Sequence, residues 1–127
     1  MRYLPSLFIL FCLGFSINLS AQSSPVGEWK IMVPDRSQEG AMIPLFVTIK
    51  ADNIYWLDFG GDGNVEGTGK YVAKGNQMII QDAEGSECTG KGIYTFEVTD
   101  KSMTMTRVSD ECEGRGGPDG KMEFSRR

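Results

Sequence analysis

Three kinds of residue in this chain could do chemistry: a pair of cysteines, a run of oxygen donors and a crowd of carboxylates. Histidine is not among them. The 127 residues contain none, which removes histidine-based triads and histidine-liganded catalytic zinc. Cys88 and Cys112 form no Cys-x-x-Cys motif, so a structural disulfide is a better reading than a redox couple or a thiolate metal site. Asp62-Gly63-Asn64-Val65-Glu66 sets oxygen side chains at alternate positions, somewhat as a calcium loop does. The longer calcium pattern fails, because after Asp58 a glycine, Gly60, stands where a ligand is needed. A solvated turn is the expected result, with no metal and no other cofactor. Gly60-Gly61-Asp62-Gly63 and Gly114-Arg115-Gly116-Gly117 open no helix and precede no Lys-Ser/Thr pair, so they read as turns rather than phosphate cradles. Nothing places two carboxylates about a scissile bond. No catalytic residue is assigned, and the chain reads as a non-enzyme.

The elements that must hold these residues are strands. Tyr94, Phe96 and Val98 alternate with polar residues, Asp100-Lys101 is turn material, and Met103 and Met105 alternate with Thr104 and Thr106. A two-residue loop sets Val98 opposite Met103, Phe96 opposite Met105 and Tyr94 opposite Arg107, with the apolar side chains on one face. A one-residue slip splits that face. Cys88 and Cys112 flank the open end of this hairpin, and a small irregularity just outside the ladder brings them within bonding reach. Further strands are expected over residues 26–33, 42–50, 54–59, 65–73, 77–81 and 120–126, and no helix of ordinary length. The connections run long, short, medium, short, long, short, long. In an up-and-down barrel they fall alternately at the two ends, so every longer loop gathers at one rim. A sandwich with one variable end fits the same lengths.

Residues 1–21 read as a secretory signal peptide: Arg2, a mostly apolar run from Leu7 to Leu19, then small Ser20-Ala21. The run is short for a membrane span, and Cys12 leaves with it. The mature domain, 22–127, has no transmembrane segment in this reading and suits a single domain. It is assigned a secreted or periplasmic, bacterial location. Losing Arg2 leaves 12 basic and 17 acidic residues, and such an acidic chain offers no basic patch for nucleic acid or anionic lipid. The acids concentrate in the longer loops, where Arg36, Lys91 and Arg115 are the opposing cations.

Gly27-Glu28-Trp29 at the start of the first strand resembles the G-x-W signature of lipocalins and the wider calycin group. The pattern Cys88, Gly92, Tyr94, Phe96, Val98, Val108, Asp110, Cys112 and Arg115 also resembles small secreted bacterial lipocalin-like proteins. The resemblance implies an all-β, eight-stranded up-and-down antiparallel barrel with a small-molecule site inside. It also implies a closed end where a late arginine covers Trp29: Arg126 first, with Arg127 and Arg115 as alternatives. This chain is shorter than the larger lipocalins and has no C-terminal helix. The candidate ligand-facing residues are Leu45, Val47, Trp56, Met78, Tyr94, Phe96, Val98, Met103 and Met105, which an ordinary filled core would use equally well. Met is adaptable enough for either role. The expected function is binding of a small apolar or amphipathic ligand. The alternative is a protein-interaction or inhibitor module that works through its loop-bearing rim around a filled core; the oligomeric state is open. A free-thiol assay on the denatured, unreduced mature chain should find none, and two reactive thiols would refute the bond.

Overall fold

The computed structural model describes residues 23–127, so the signal-peptide assignment lies outside the described residues. Eight antiparallel strands follow one another: β1 (Gly27–Pro34), β2 (Met42–Ile49), β3 (Ile54–Phe59), β4 (Gly67–Lys74), β5 (Gln77–Asp82), β6 (Lys91–Val98), β7 (Ser102–Asp110) and β8 (Lys121–Arg126). Each pairs with its sequence neighbour and β8 returns to β1, which closes the barrel. The connections after β1, β3, β5 and β7 are the long ones and share one rim, the mouth; the short turns share the floor. Two of those turns need special backbone: Asn53 has φ 67° and Gly75 has φ 60°, a conformation open to asparagine and glycine. No helix among the described residues is long and apolar enough to cross a membrane.

The β6–β7 register matches expectation, with Val98 opposite Met103, Phe96 opposite Met105 and Tyr94 opposite Arg107. The irregularity lies inside the ladder rather than beyond it. Between Ile93 and Tyr94 the register shifts by one, so Ile93 faces Ser109 and Val108 bulges outward, 56% exposed. Beyond the bulge, Cys88 and Cys112 are bonded, with 5.9 Å between their Cα atoms. The fourth strand starts at Gly67 instead of residue 65, because the Glu66 amide turns back to the Leu57 carbonyl (2.9 Å).

Alternation on every strand sends one side chain in two to the centre. Trp29, Val47, Ile49, Tyr55, Tyr71, Met78, Tyr94, Phe96, Met103, Met105 and Phe124 form one contiguous core drawn from all eight strands. At the floor, the Trp29 indole N–H donates to the Pro25 carbonyl (2.8 Å), and the Arg126 guanidinium lies 4.2 Å from the ring centroid. Gly27 makes room for it, since a Cβ there would meet Arg126 Nη1 at 2.8 Å. The expected association of Gly27, Trp29 and Arg126 is therefore the one observed. Arg127 instead covers Phe46 on the outer wall, 4.3 Å from its centroid. Gly69 has a packing reason: a Cβ would strike the Tyr55 ring and come within 2.6 Å of the Gln81 carbonyl oxygen. Gly69→Ala should cost about 1–3 kcal/mol through overpacking, read as a lower urea midpoint at unchanged m-value.

Candidate functional site at the barrel mouth

The mouth is built by the ends of β5, β6 and β7 and by the loop over residues 111–120. Arg115 descends from that loop into the opening. Its Nε and Nη2 donate to the two carboxylate oxygens of Asp110, each at 2.8 Å, its Nη2 also donates to the Gly90 carbonyl (2.8 Å), and its Nη1 lies 3.4 Å from Asp82 Oδ2. The fork suits guanidinium geometry and fixes the side chain's orientation. From below, the Tyr94 hydroxyl donates to Asp110 Oδ2 (2.5 Å) and the Tyr55 hydroxyl donates to Asp82. Asp110 is almost wholly enclosed, with 2% of its side chain exposed, yet it also receives the Cys112 amide (2.8 Å).

A second arginine secures the loop's backbone. Arg107 Nη1 donates to the carbonyls of Arg115 (3.1 Å) and Gly117 (3.2 Å). The Cys88–Cys112 bond ties the loop's first turn to the segment before β6. Gly116, at φ 86°, lets the loop settle on the Tyr94 ring, where a Cβ would be 2.8 Å from its hydroxyl. Among the described residues no buried side-chain nitrogen or oxygen lacks a partner. The cap's polar groups are mutually satisfied, the condition under which a buried polar network is stable.

Burial alone would push the Asp110 carboxyl up. The hydrogen bonds from Arg115, Tyr94 and the Cys112 amide outweigh it and hold the group below the ordinary carboxylate range. Arg115 is displaced upward against its own burial by hydrogen bonding with Asp110 and by the charges of Asp110 and Asp82. Burial and the Asp82 and Asp110 carboxylates raise the hydroxyl pKa of Tyr55 and Tyr94, which keeps both as neutral donors.

Of the nine proposed ligand-facing residues, Val47, Met78, Tyr94, Phe96, Met103 and Met105 are buried in the core, and Leu45 and Val98 pack against it. Trp56 is a correction. It stands on the outer wall, 40% exposed, with the Lys50 ammonium 4.2 Å from its ring centroid. The register sets Tyr55 opposite inward Ile49 and Trp56 opposite Thr48, so the smaller aromatic takes the interior. Arg115, expected among the cations of the longer loops and only a lesser alternative to Arg126 over Trp29, caps the mouth. Sequence reading overlooked Tyr55 and Tyr71, whose hydroxyls reach Asp82 and the Lys50 carbonyl respectively. Alternation from Tyr55 through Leu57 was the available signal for the first.

Around the cap, the four mouth loops carry nine carboxylates and two arginines, whereas the floor turns carry two of each sign. One of the arginines, Arg36, is spent on Glu87 (2.5 Å) at the surface. Asp58, Asp62 and Glu66 gather with carboxylate oxygens within 4.8 Å of one another. Backbone amides account for this: Gly61 and Gly63 donate to Asp58, Asn64 to Asp62 and Phe59 to Glu66. The segment is a self-bonded turn of the kind short acidic side chains favour.

Comparison with protein-family models, with curated proteins and with solved structures returns no match for this chain.

Arg115→Met should destabilise by about 3 kcal/mol, because it leaves Asp110 enclosed without its counter-charge. In the unaltered chain Asp110 titrates lower folded than unfolded. Its contribution is therefore present above the unfolded pKa of about 3.9 and lost as the pH falls through the folded value. Thermal melts from pH 7 to pH 2 should show a steep acid decline that Arg115→Met flattens.

Proposed function

We propose that this chain is a protein-interaction module, a secreted or periplasmic lipocalin-like barrel that presents an acidic loop-bearing rim to a cationic partner. The observation that carries the reading is the occupied interior beneath a capped mouth. Tyr94 and Trp29 have no exposed surface, and the polar groups at the opening are satisfied by one another. An apolar ligand entering from that end has to break the Arg115–Asp110 fork, displace Tyr94 and part the core, each at the cost of buried contacts. Recognition on the outside costs none of these.

Charge selects the partner's sign. The mouth loops are strongly acidic and the floor is balanced, so the field is polarised along the barrel axis and steers a cationic surface to the rim. The scaffold suits the role: loops seated on a rigid closed sheet, with the last one fastened by the disulfide and two arginines, lose little freedom on binding. The lipocalin-like resemblance supports the barrel as a carrier of loops; the ligand cavity of that group is what the filled core argues against. The absence of histidine and the engagement of Asp82 and Asp110 by Arg115 favour a binder over an enzyme.

A thermal-shift panel of fatty acids, sterols and aromatic amphiphiles should produce no stabilisation. A ligand at a hundredfold excess over its Kd would add about 2.7 kcal/mol, and a saturable shift of that size would overturn the reading. Conversely, oligolysine should bind at low salt and weaken by about tenfold or more between 50 and 300 mM salt. Replacing Glu39, Glu84 and Glu113 by lysine should abolish that binding without lowering the melting temperature.

A further inference from the structure

The ring is joined along only part of its last seam. β1 and β8 pair through Trp29 with Arg126 and Lys30 with Ser125, and the Arg127 amide reaches the Glu28 carbonyl (3.0 Å). The next bonding positions, Met32 and Glu123, are not paired with each other. Both turn their backbone groups toward the gap. The Asp35 amide donates to the Ala41 carbonyl (2.8 Å), which phases the β1–β2 ladder so that Ile31 and Val33 bond β2 and Met32 faces away. Opposite Met32 stands Pro44, which has no N–H and whose carbonyl is taken by the Gly60 amide (2.7 Å). In the same way, the Arg126 amide on the Lys101 carbonyl and the Arg107 amide on the Gly120 carbonyl commit Phe124 and Met122 to β7, leaving Glu123 turned outward. A groove of about 480 Å³ lies here, lined by Lys30, Ile31, Met32, Glu123, Phe124 and Ser125.

We infer that this seam receives a short extended segment of a partner polypeptide, added as a strand against Met32 and Glu123 with an apolar side chain on Ile31 and Phe124. The lips identify the occupant. An acyl chain or a sterol covers the apolar floor but leaves the N–H and C=O groups of both strands unpaired. An extended peptide supplies donors and acceptors at the spacing of the ladder it continues. The site is short. Pro34, without an N–H, and Lys121 blunt the two edges beyond it, so side chains contribute most of the selectivity. The seam opens at the mouth between the loops bearing Asp35, Glu39, Glu111, Glu113 and Asp119, which matches a segment with cationic residues beside its apolar one. This last point rests on the rim reading above.

The test uses the mature chain and an acetylated heptapeptide of alternating lysine and valine. Amide exchange should slow by about tenfold or more at Met32 and Glu123, the groups that gain a partner. Met32→Pro removes the seam N–H and leaves the β1–β2 bonds intact; it should weaken the peptide by about tenfold, as should Glu123→Pro. Binding with neither amide protected and both variants unaffected overturns the seam inference and leaves the rim reading standing. No binding of any cationic peptide overturns both. Stabilisation by a fatty acid with no peptide binding overturns the inference in favour of a lipidic occupant. If either proline variant fails to fold, exchange in the unaltered chain decides.

Discussion

Two residue pairs close the ring, and the closure depends on Trp29. Fully buried at the floor, the indole is hydrogen-bonded to Pro25 and covered by Arg126, whose own strand is thereby held against β1. A cation over an aromatic ring contributes about 0.5–2 kcal/mol, whereas truncating a buried tryptophan costs about 3–5 kcal/mol. Burial of the ring is thus the larger effect, and the arginine mainly sets direction. Gly27 belongs to the same arrangement, because its missing side chain is what leaves room for the guanidinium. Without this floor the sheet would present two long edges.

The other end is closed by different means. No aromatic plug is used there; a charged side chain is brought down from a loop and neutralised by carboxylates on β5 and β7. Such a pair is favourable only when its lone pairs and protons are all engaged, and Tyr55, Tyr94, Gly90 and the Cys112 amide provide the remaining partners. The disulfide supplements the cap by shortening the unfolded chain's freedom over a separation of 24 residues, for about 3 kcal/mol. By contrast, Arg36 with Glu87 is an exposed pair and adds little. The molecule therefore has a hydrophobic lock at one end and an electrostatic one at the other.

Much of this was legible beforehand. Period-two alternation located all eight strands, loop lengths separated mouth from floor, and the facing of Phe96 with Met105 followed from the turn at Asp100-Lys101. The misplacement of Trp56 has a physical cause: alternation reports that neighbours point opposite ways but not which of two adjacent aromatics goes in. That choice is made by the register against β2, a long-range relation. Arg115 was harder still. Its surroundings come from three strands and a loop, and nothing in the spacing between Asp82, Asp110 and Arg115 announces that they converge. The partial seam was invisible for the same reason, since it concerns the first and last strands.

The contact between Tyr55 and Gly69 carries an implication for how this protein can change. The phenol occupies the volume that any other residue at 69 would claim, and its hydroxyl is what holds Asp82 in place under the cap. Enlarging one position is tolerable only if the other shrinks, and shrinking the phenol takes a hydrogen bond from Asp82, which stands directly across from Gly69 on β5. Lineages descending from this sequence should substitute the two sites together, with an accompanying replacement at Asp82, or leave all three untouched.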